Sequence, residues 1–322
     1  HPSCSSRQGW QALCPFGPAR ATGPFIVILT NPICRAIPPT MTHDLTLAFL
    51  CSAERFPGRS KDRRPGFQFD ALNAAFAARG WRMSAQVWDD PALDPARFDV
   101  CLVGTTWDYP SRPDAFLDAL KAMEAAGTRV LNPPALIGWN MRKTYLAELS
   151  AKGVPIIDTQ WIAAGEALTA GALFAALGPD VVIKQQVGAG AYGQHRLIQG
   201  QTSDAMPIPT GRAMMAQPFM PAIVTEGEVS FLFAGDQISH ALIKRPKPGD
   251  YRSQGQYGAE ETALDMGPDA PAQNLQDLAA ARHVLDVICR QFPSEPPLYA
   301  RIDMVRGKDG RLRLMEAELI EP

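Results

Sequence analysis

The chain has 322 residues, 46% of them hydrophobic and 20% charged, with a formal net charge of −2. That length supports two or more subdomains with cores of their own, and the composition is that of an ordinary soluble globular protein. The balanced charge excludes a basic footprint for nucleic acid or anionic membrane, and no apolar run reaches the roughly 20 residues of a spanning helix.

Residues 1–40 are rich in proline and lack any acid, and Met41 directly precedes a clean strand at 45–50. Met41 is therefore expected to be the natural start. Residues 1–40 read as a disordered or non-native extension, with a strand at Phe25–Leu29 as the alternative. The cysteines (Cys4, Cys14, Cys34, Cys51, Cys101, Cys289) are scattered without a Cys-x-x-Cys pair. Neither a zinc site nor a disulfide framework is indicated, and a reduced, cytoplasmic protein is expected.

From Leu45 to about Pro134, strands and helices alternate. Strands are predicted at 45–50, 81–88, 98–103 and 129–131, and helices at 69–79, closed by Gly80, and 113–126, ended by Gly127. Such alternation argues for a parallel sheet with helices on its faces and ligands at the carboxyl ends of its strands. Thr105-Thr-Trp107-Asp108-Tyr109 falls at one of those ends and reads either as a substrate loop or as packing.

Gly138 through Thr144 lacks the glycine that precedes the lysine of a P-loop, and reads instead as the entry to a helix over 141–151. Lys143 in its first turn opposes the helix dipole unless an anion sits nearby. Gly188-Ala-Gly190-Ala-Tyr-Gly193 follows a strand that ends near Lys184. A dinucleotide-binding fold needs a helix next, and a strand is predicted at 194–198, which makes this a flexible glycine hairpin of the kind that lays N–H groups over phosphates. A buried lysine needs a partner, and phosphate or a carboxylate would serve Lys184. Residues 244–258 are basic, glycine-rich and aromatic, the composition of an anion-binding loop or of a solvated one.

Near the end, Tyr299–Arg306 and Arg311–Glu318 flank Asp309-Gly310, the signal of a two-residue type I′ hairpin. Counting back from that turn sets Asp303 opposite Glu316 and Arg301 opposite Glu318, with both glutamates on one face. Three like charges on one patch call for a cation. Oxygen-only ligands suit magnesium shared with substrate phosphates, and a solvated hairpin neutralised by Arg301 is the alternative.

These motifs taken together resemble the ATP-grasp carboxylate–amine ligases of the glutathione-synthetase kind, in the branch that includes the cycloserine-forming cyclo-ligase. The residues that carry the resemblance are Trp107-Asp-Tyr109, Asn132-Pro-Pro, Trp139-Asn-x-x-Lys143, Val182-Ile-Lys184, Gln217-Pro-Phe, Gly227-Glu-Val-Ser, Ser239 to Pro246, Gly249-Asp-Tyr-Arg252, Arg301-Ile-Asp303 and Glu316-Ala-Glu318-Leu-Ile-Glu-Pro. The resemblance implies an ATP-grasp fold, α/β and α+β in class. Residues 41–135 would be an N-terminal parallel-sheet (pre-ATP-grasp) domain and residues 136–322 the ATP-grasp domain, with a lid at about 144–216 and a metal-bearing lobe at 217–322.

The same resemblance implies roles. Lys143 and Lys184 would hold ATP phosphates under the loop of Gly188, Gly190 and Gly193. Gln217, Pro218, Phe219 and Met220 would read adenine, and Glu228 the ribose. Asp303, Glu316 and Glu318 would bind two magnesium ions, with manganese as a substitute. Arg252, with Lys184, would serve the transferred phosphoryl group and an acyl phosphate. The partners would be small-molecule carboxylate and amine substrates; a homo-oligomer is left open. A catalytically silent nucleotide-binding relative and a nicotinamide-dependent dehydrogenase are the rival readings. The chain departs from the branch at Gln185, where proline is usual, at Gly104, where arginine is usual, and at Glu318, where many relatives carry asparagine.

Overall fold

Four strands with short connecting helices, β1 (Thr46–Cys51), β2 (Arg82–Val87), β3 (Val100–Thr105) and β4 (Arg129–Leu131), pair in parallel in the order β2-β1-β3-β4. The computed structural model describes residues 44–56, 63–267 and 269–321; the expectations for residues 1–40 and Met41 lie outside the described residues. The central strands β1 and β3 are almost wholly buried, as parallel strands covered on both faces must be. Alternation along each strand sends Leu47, Phe49 and Leu102 to the face covered by α1 (Arg63–Ala77), whose Leu72 and Phe76 complete that core. Ala48, Leu50, Cys101 and Val103 face the other way, onto Phe116, Leu120 and Met123 of α2 (Pro113–Ala125).

The Gly104 departure has a steric cause on this sheet. A Cβ at Gly104 would lie 2.1 Å from Cζ of Phe49, whose ring is fully buried. Phe49 therefore fills the space that any longer side chain at this position needs.

The expected helix over 141–151 is two short helices, α3 (Pro134–Asn140) and α4 (Tyr145–Ala151), with a break between them that carries Lys143. The break is held from outside: the Lys143 backbone N–H donates to Gln186 O at 2.8 Å. Tyr145, Leu146 and Leu149 form one apolar stripe on α4, and it packs into the core of the C-terminal lobe. Helix α4 therefore belongs with that lobe. The small lobe, expected from residue 144, begins at β5 (Gln160–Ile162). With β6 (Asp180–Gln185), β7 (His195–Ile198) and β8 (Met214–Pro218), β5 forms an antiparallel sheet in the order β5-β8-β6-β7, covered by α5 (Ala170–Leu177). Strands β6 and β7 are a hairpin around the glycine loop, so the dinucleotide-binding reading lacks its helix.

Past the short helix α6 (Ala222–Thr225), a five-stranded antiparallel sheet is built from β9 (Glu228–Ala234), β10 (Gln237–Arg245), β11 (Glu260–Leu264), β12 (Tyr299–Arg306) and β13 (Leu312–Glu318), in the order β11-β10-β9-β12-β13. One face packs on α7 (Ala272–Gln291) through Val229, Phe231, Ile302 and Met304. Among the described residues, no helix is long and apolar enough to cross a membrane.

The terminal hairpin corrects the turn and keeps the register. Gly307 N–H donates to Arg311 O at 2.8 Å, so the loop is Lys308–Gly310, three residues long, with only Gly310 in the left-handed region (φ 77°). That turn alone would set Asp303 opposite Met315. A bulge corrects it: Met304 faces Leu314, Asp303 faces Glu316 and Arg301 faces Glu318, leaving Met315 unpaired in the ladder.

The Gly104 contact sets an expected outcome. Gly104→Ala lowers the free energy of unfolding by about 1–3 kcal/mol, the usual scale for overpacking a filled core. Phe49→Leu in the same chain recovers part of that loss. Urea denaturation of the two variants checks this; an unchanged midpoint for Gly104→Ala would show that the ring yields.

Candidate active site

The face of the C-terminal sheet opposite α7 carries Glu228, Ser230, Arg301, Asp303, Glu316 and Glu318. It forms one wall of a cavity of about 840 Å³, closed on the other side by the small lobe and its glycine loop. Every residue expected to hold nucleotide, metal or the transferred phosphoryl group lines this cavity except Gly193, a left-handed residue of the glycine loop. Lys143 and Lys184, Gly188 and Gly190, Gln217 to Met220, Glu228, Arg252, Asp303, Glu316 and Glu318 therefore share one space.

Buried carboxylates persist only when paired and hydrogen-bonded. Asp303 is 4% exposed and accepts from Arg301 Nε at 2.9 and 3.0 Å, from Ser230 Oγ, and from Lys244 Nζ at 3.5 Å. Burial opposes its charged form, yet Arg301, Lys244 and the Ser230 hydroxyl outweigh it and hold its pKa below the ordinary value. Lys244 Nζ also donates to Glu228 at 3.1 Å, and Ser253 Oγ donates to the other Glu228 oxygen. Glu228, expected at the ribose, thus stands on the same polar wall with both oxygens engaged. Lys143 Nζ meets Glu316 Oε1 at 2.8 Å and donates to Gly188 O at 2.8 Å, which ties the glycine loop to the sheet. Desolvation pushes Glu316 up, but the ammonium groups of Lys143 and Lys184 prevail and lower it. Glu318 is shifted the other way, up, by burial and by Glu316 despite Arg301; its Oε1 accepts the backbone N–H of Ile320 and Glu321 at 2.9 and 3.2 Å.

The expected metal cluster is therefore not assembled as it stands. Among the described residues, no three His, Cys, Asp or Glu side chains are grouped closely enough to hold a metal ion. Each carboxylate is drawn towards its own cation or amide. The donor set nevertheless suits a hard cation: all ligands are oxygens, they share one face, and two of the restraining groups are lysines that a phosphate would attract away.

Lys184 is the exception in this balanced site. Among the described residues its ammonium has no hydrogen-bond or ion-pair partner, and desolvation lowers its pKa to about 8, against the attraction of Glu316 and Glu228. A desolvated cation without a partner, facing a cavity, is a seat for an anion. Arg252 stands near the mouth, with its guanidinium on Asp250 at 3.0 and 2.7 Å and stacked 3.7 Å over the Tyr257 ring. Gln256 Nε2 and Tyr257 Oη both donate to Gly190 O, at 2.8 and 3.2 Å. The basic loop and the glycine loop thus meet over the cavity.

The Thr105–Tyr109 segment divides between its two readings. Tyr109 is buried and stacks on Phe116, whereas Trp107 faces the cavity at 43% exposure. Several working residues carried no expected role. Asn132 Nδ2 donates to Tyr299 O and Leu319 O, Asn140 Nδ2 donates to Ala317 O, and Tyr145 Oη exchanges hydrogen bonds with Ala317. Their signal in the sequence was the Asn-Pro-Pro and Trp-Asn pieces, where polar residues punctuate apolar runs.

The three sheets and the cavity between them have the ATP-grasp arrangement. Residues 47–132 match a family model described as the D-cycloserine synthetase DcsG, N-terminal domain. Over 257 residues the chain is 28% identical to the cycloserine biosynthesis protein DcsG of Streptomyces lavendulae, a span of 76% of this chain and 84% of that protein. The crystal structure of D-cycloserine synthetase DcsG superposes with a TM-score of 0.70 at 24% identity, covering 86% of this chain and 92% of the other. D-alanine–D-alanine ligase from Bacillus anthracis complexed with ATP gives 0.56 at 13% identity, with 86% of each chain covered. The ATP-grasp ligase PsnB complexed with minimal precursor, Mg and ADP gives 0.52 at 16% identity, covering 86% and 90%. The resemblance read from the motifs is borne out at the level of fold: the chain has the ATP-grasp fold, and in sequence it is similar to the cycloserine biosynthesis protein.

The lowered Lys184 predicts proton uptake. An anion on this ammonium restores its pKa, so binding of ATP with magnesium at pH about 8.5 takes up about half a proton or more, and affinity falls as pH rises through about 8. Calorimetry in buffers of different ionisation enthalpy measures the uptake. Lys184→Met abolishes it, and an unchanged uptake in that variant would remove Lys184 from the anion seat.

Proposed function

We propose that the protein is an ATP- and magnesium-dependent carboxylate–amine, or cyclising, ligase that acts through an acyl phosphate on a small amino-acid-like substrate. The observation that carries this reading is Lys184, without a hydrogen-bond or ion-pair partner among the described residues, lining one cavity with Lys143 and a wall of carboxylates. Phosphates need the lysines, and a hard cation needs the carboxylates.

In this reading, Lys143, Lys184 and the amides of the loop 188–193 hold the ATP phosphates, Gln217 to Met220 the adenine, and Glu228 the ribose. Asp303, Glu316 and Glu318 hold magnesium, as two ions, with manganese as a substitute; the metal supplies charge neutralisation at the phosphates. A phosphate drawing on Lys143 releases Glu316, so nucleotide and metal bind as a pair. The substrate carboxylate attacks the γ-phosphorus, and ADP leaves. Arg252 faces the transferred phosphoryl group. The amine then attacks the acyl carbon and phosphate departs, its charge held by the same cations. Contact of the basic loop with Gly190 keeps water from the acyl phosphate. Free thiols at Cys51, Cys101 and Cys289 support placement in the reducing cytoplasm.

The test is ADP release from magnesium and ATP across a panel of D- and L-amino acids, with hydroxylamine present to trap the acyl phosphate as a hydroxamate. Amino-acid-dependent release with hydroxamate is expected; no release with any member of the panel would overturn the ligase reading. Glu316→Gln lowers kcat/KM by about 100-fold or more, on the scale of losing one preorganised electrostatic contact. It also weakens magnesium-dependent ATP binding. Unchanged affinity and activity would remove the metal assignment.

A further inference from the structure

Glu321 lines the same cavity, yet nothing in the phosphoryl-transfer arrangement uses it. Among the described residues its Oε2 is buried without a hydrogen-bond partner, and the backbone N–H of Thr106 lies close enough to favour its charged form. Thr106 follows the carboxyl end of β3, where parallel sheets receive their ligands. It is 0% exposed, and among the described residues its own hydroxyl is also buried without a partner. Two orphaned polar atoms, on residues that touch each other across two lobes, are a departure from the rule that buried polar groups are satisfied.

The segment that carries Glu321 is held firmly. Asn132 Nδ2 donates to Leu319 O at 2.7 Å, and Tyr299 Oη donates to Ile320 O at 3.1 Å. The backbone N–H of Glu321 itself donates to Glu318 Oε1. The backbone that carries this side chain is therefore fixed beside the cavity. The surroundings also define what would satisfy the unpaired oxygen. Burial first, then the charges of Glu318 and Asp108, push the Glu321 carboxyl well above the ordinary value against Arg301, so its charged form lacks a full counterion. An orphaned carboxylate oxygen short of a counterion calls for a positively charged donor.

We propose that Glu321, seated on Thr106, binds the ammonium group of the amino acid whose carboxylate is phosphorylated, so that the cavity selects amino acids over the matching acids that lack the amine. This inference rests on the ligase reading. It makes Glu321 a specificity residue, separate from the nucleotide and metal positions.

The test uses the full chain with magnesium and ATP, and hydroxylamine as the nucleophile, so that only carboxylate activation is read. The amino acid of the panel that releases most ADP is compared with its desamino analogue. The unaltered protein prefers the amino acid by at least about 100-fold in kcat/KM, as sites built around a substrate hydrogen bond do. In Glu321→Gln that preference falls to within about fivefold, mainly through KM, while Glu321→Asp keeps part of it and the ATP Kd from calorimetry stays within about twofold. Full preference in Glu321→Gln, no preference in the unaltered protein, or a loss confined to assays with an amine nucleophile would each overturn the proposal. If ATP binds but no amino acid elicits ADP, the ligase reading falls and this inference with it. If ADP release persists with the preference intact in Glu321→Gln, only this inference falls.

Discussion

The constraint on which this structure depends is charge balance on one face of a buried sheet. Glu228, Asp303, Glu316 and Glu318 project from three strands into a single cavity, where water no longer screens them. Their counterions come from separate places: Arg301 from β12, Lys244 from β10, Lys143 from the break between α3 and α4, and Lys184 from β6 of the small lobe. Lys143, Lys244 and Arg301 pair with them directly, and Lys184 adds attraction at a distance. The packing of the small lobe against the C-terminal sheet is therefore an electrostatic matter as much as an apolar one, and Lys143, which touches both Glu316 and the Gly188 carbonyl, is the joint between them.

A second constraint makes the first achievable. Along β13 the core positions are Leu312 and Leu314, then Ala317 and Leu319, and the change from even to odd numbers falls at the bulge. Side chains alternate strictly along a strand, so without an extra residue Glu316 and Glu318 would point into the apolar core under α7. The bulge at Met315 turns them to the face that carries Asp303, and Leu314 N–H finds its acceptor in Pro155 O at 2.8 Å. The sheet thus gains an acidic face and keeps an apolar one within a strand of seven residues.

This bulge also marks the limit of what the sequence made legible. The facing of Asp303 with Glu316, and of Arg301 with Glu318, follows from a two-residue turn at Asp309-Gly310 and holds in the structure, though by another route. The turn is one residue longer than its dipeptide signal suggests, and the bulge removes one residue from the register, so the two deviations cancel. The parallel sheet was readable because alternating apolar runs and closing glycines are local signals. The glycine loop was readable because the strand following it rules out a helix. Helix α4, expected at the start of the lid, packs on the C-terminal core because its apolar stripe does not name its partner, and Lys143 was placed in a helix because the break at 141–144 is held by Gln186, more than forty residues away in sequence. The splayed carboxylates were beyond reach for the same reason: Asp303 is drawn to Arg301 and Lys244, Glu316 to Lys143, and Glu318 to the amides of Ile320 and Glu321, partners that only the folded chain brings together.

The polar clamps show how the cavity combines a fixed floor with movable walls. Asn132, Asn140, Tyr145 and Tyr299 bond only to backbone or to one another's strands, and each is buried where α3, α4, β4 and β12 converge on the end of β13. A buried side-chain amide or phenol that satisfies the backbone of a distant segment fixes that segment in position, because breaking it would leave two polar groups unpaired. The carboxylates at residues 316 and 318 are therefore anchored from behind. The loops in front of them, 188–193 and 249–258, hold each other through Gly190 O at the tip, contacts that can part without exposing a core. Rigidity lies where charge must be placed to within tenths of an ångström, and freedom lies where a substrate must enter and water must then be kept out.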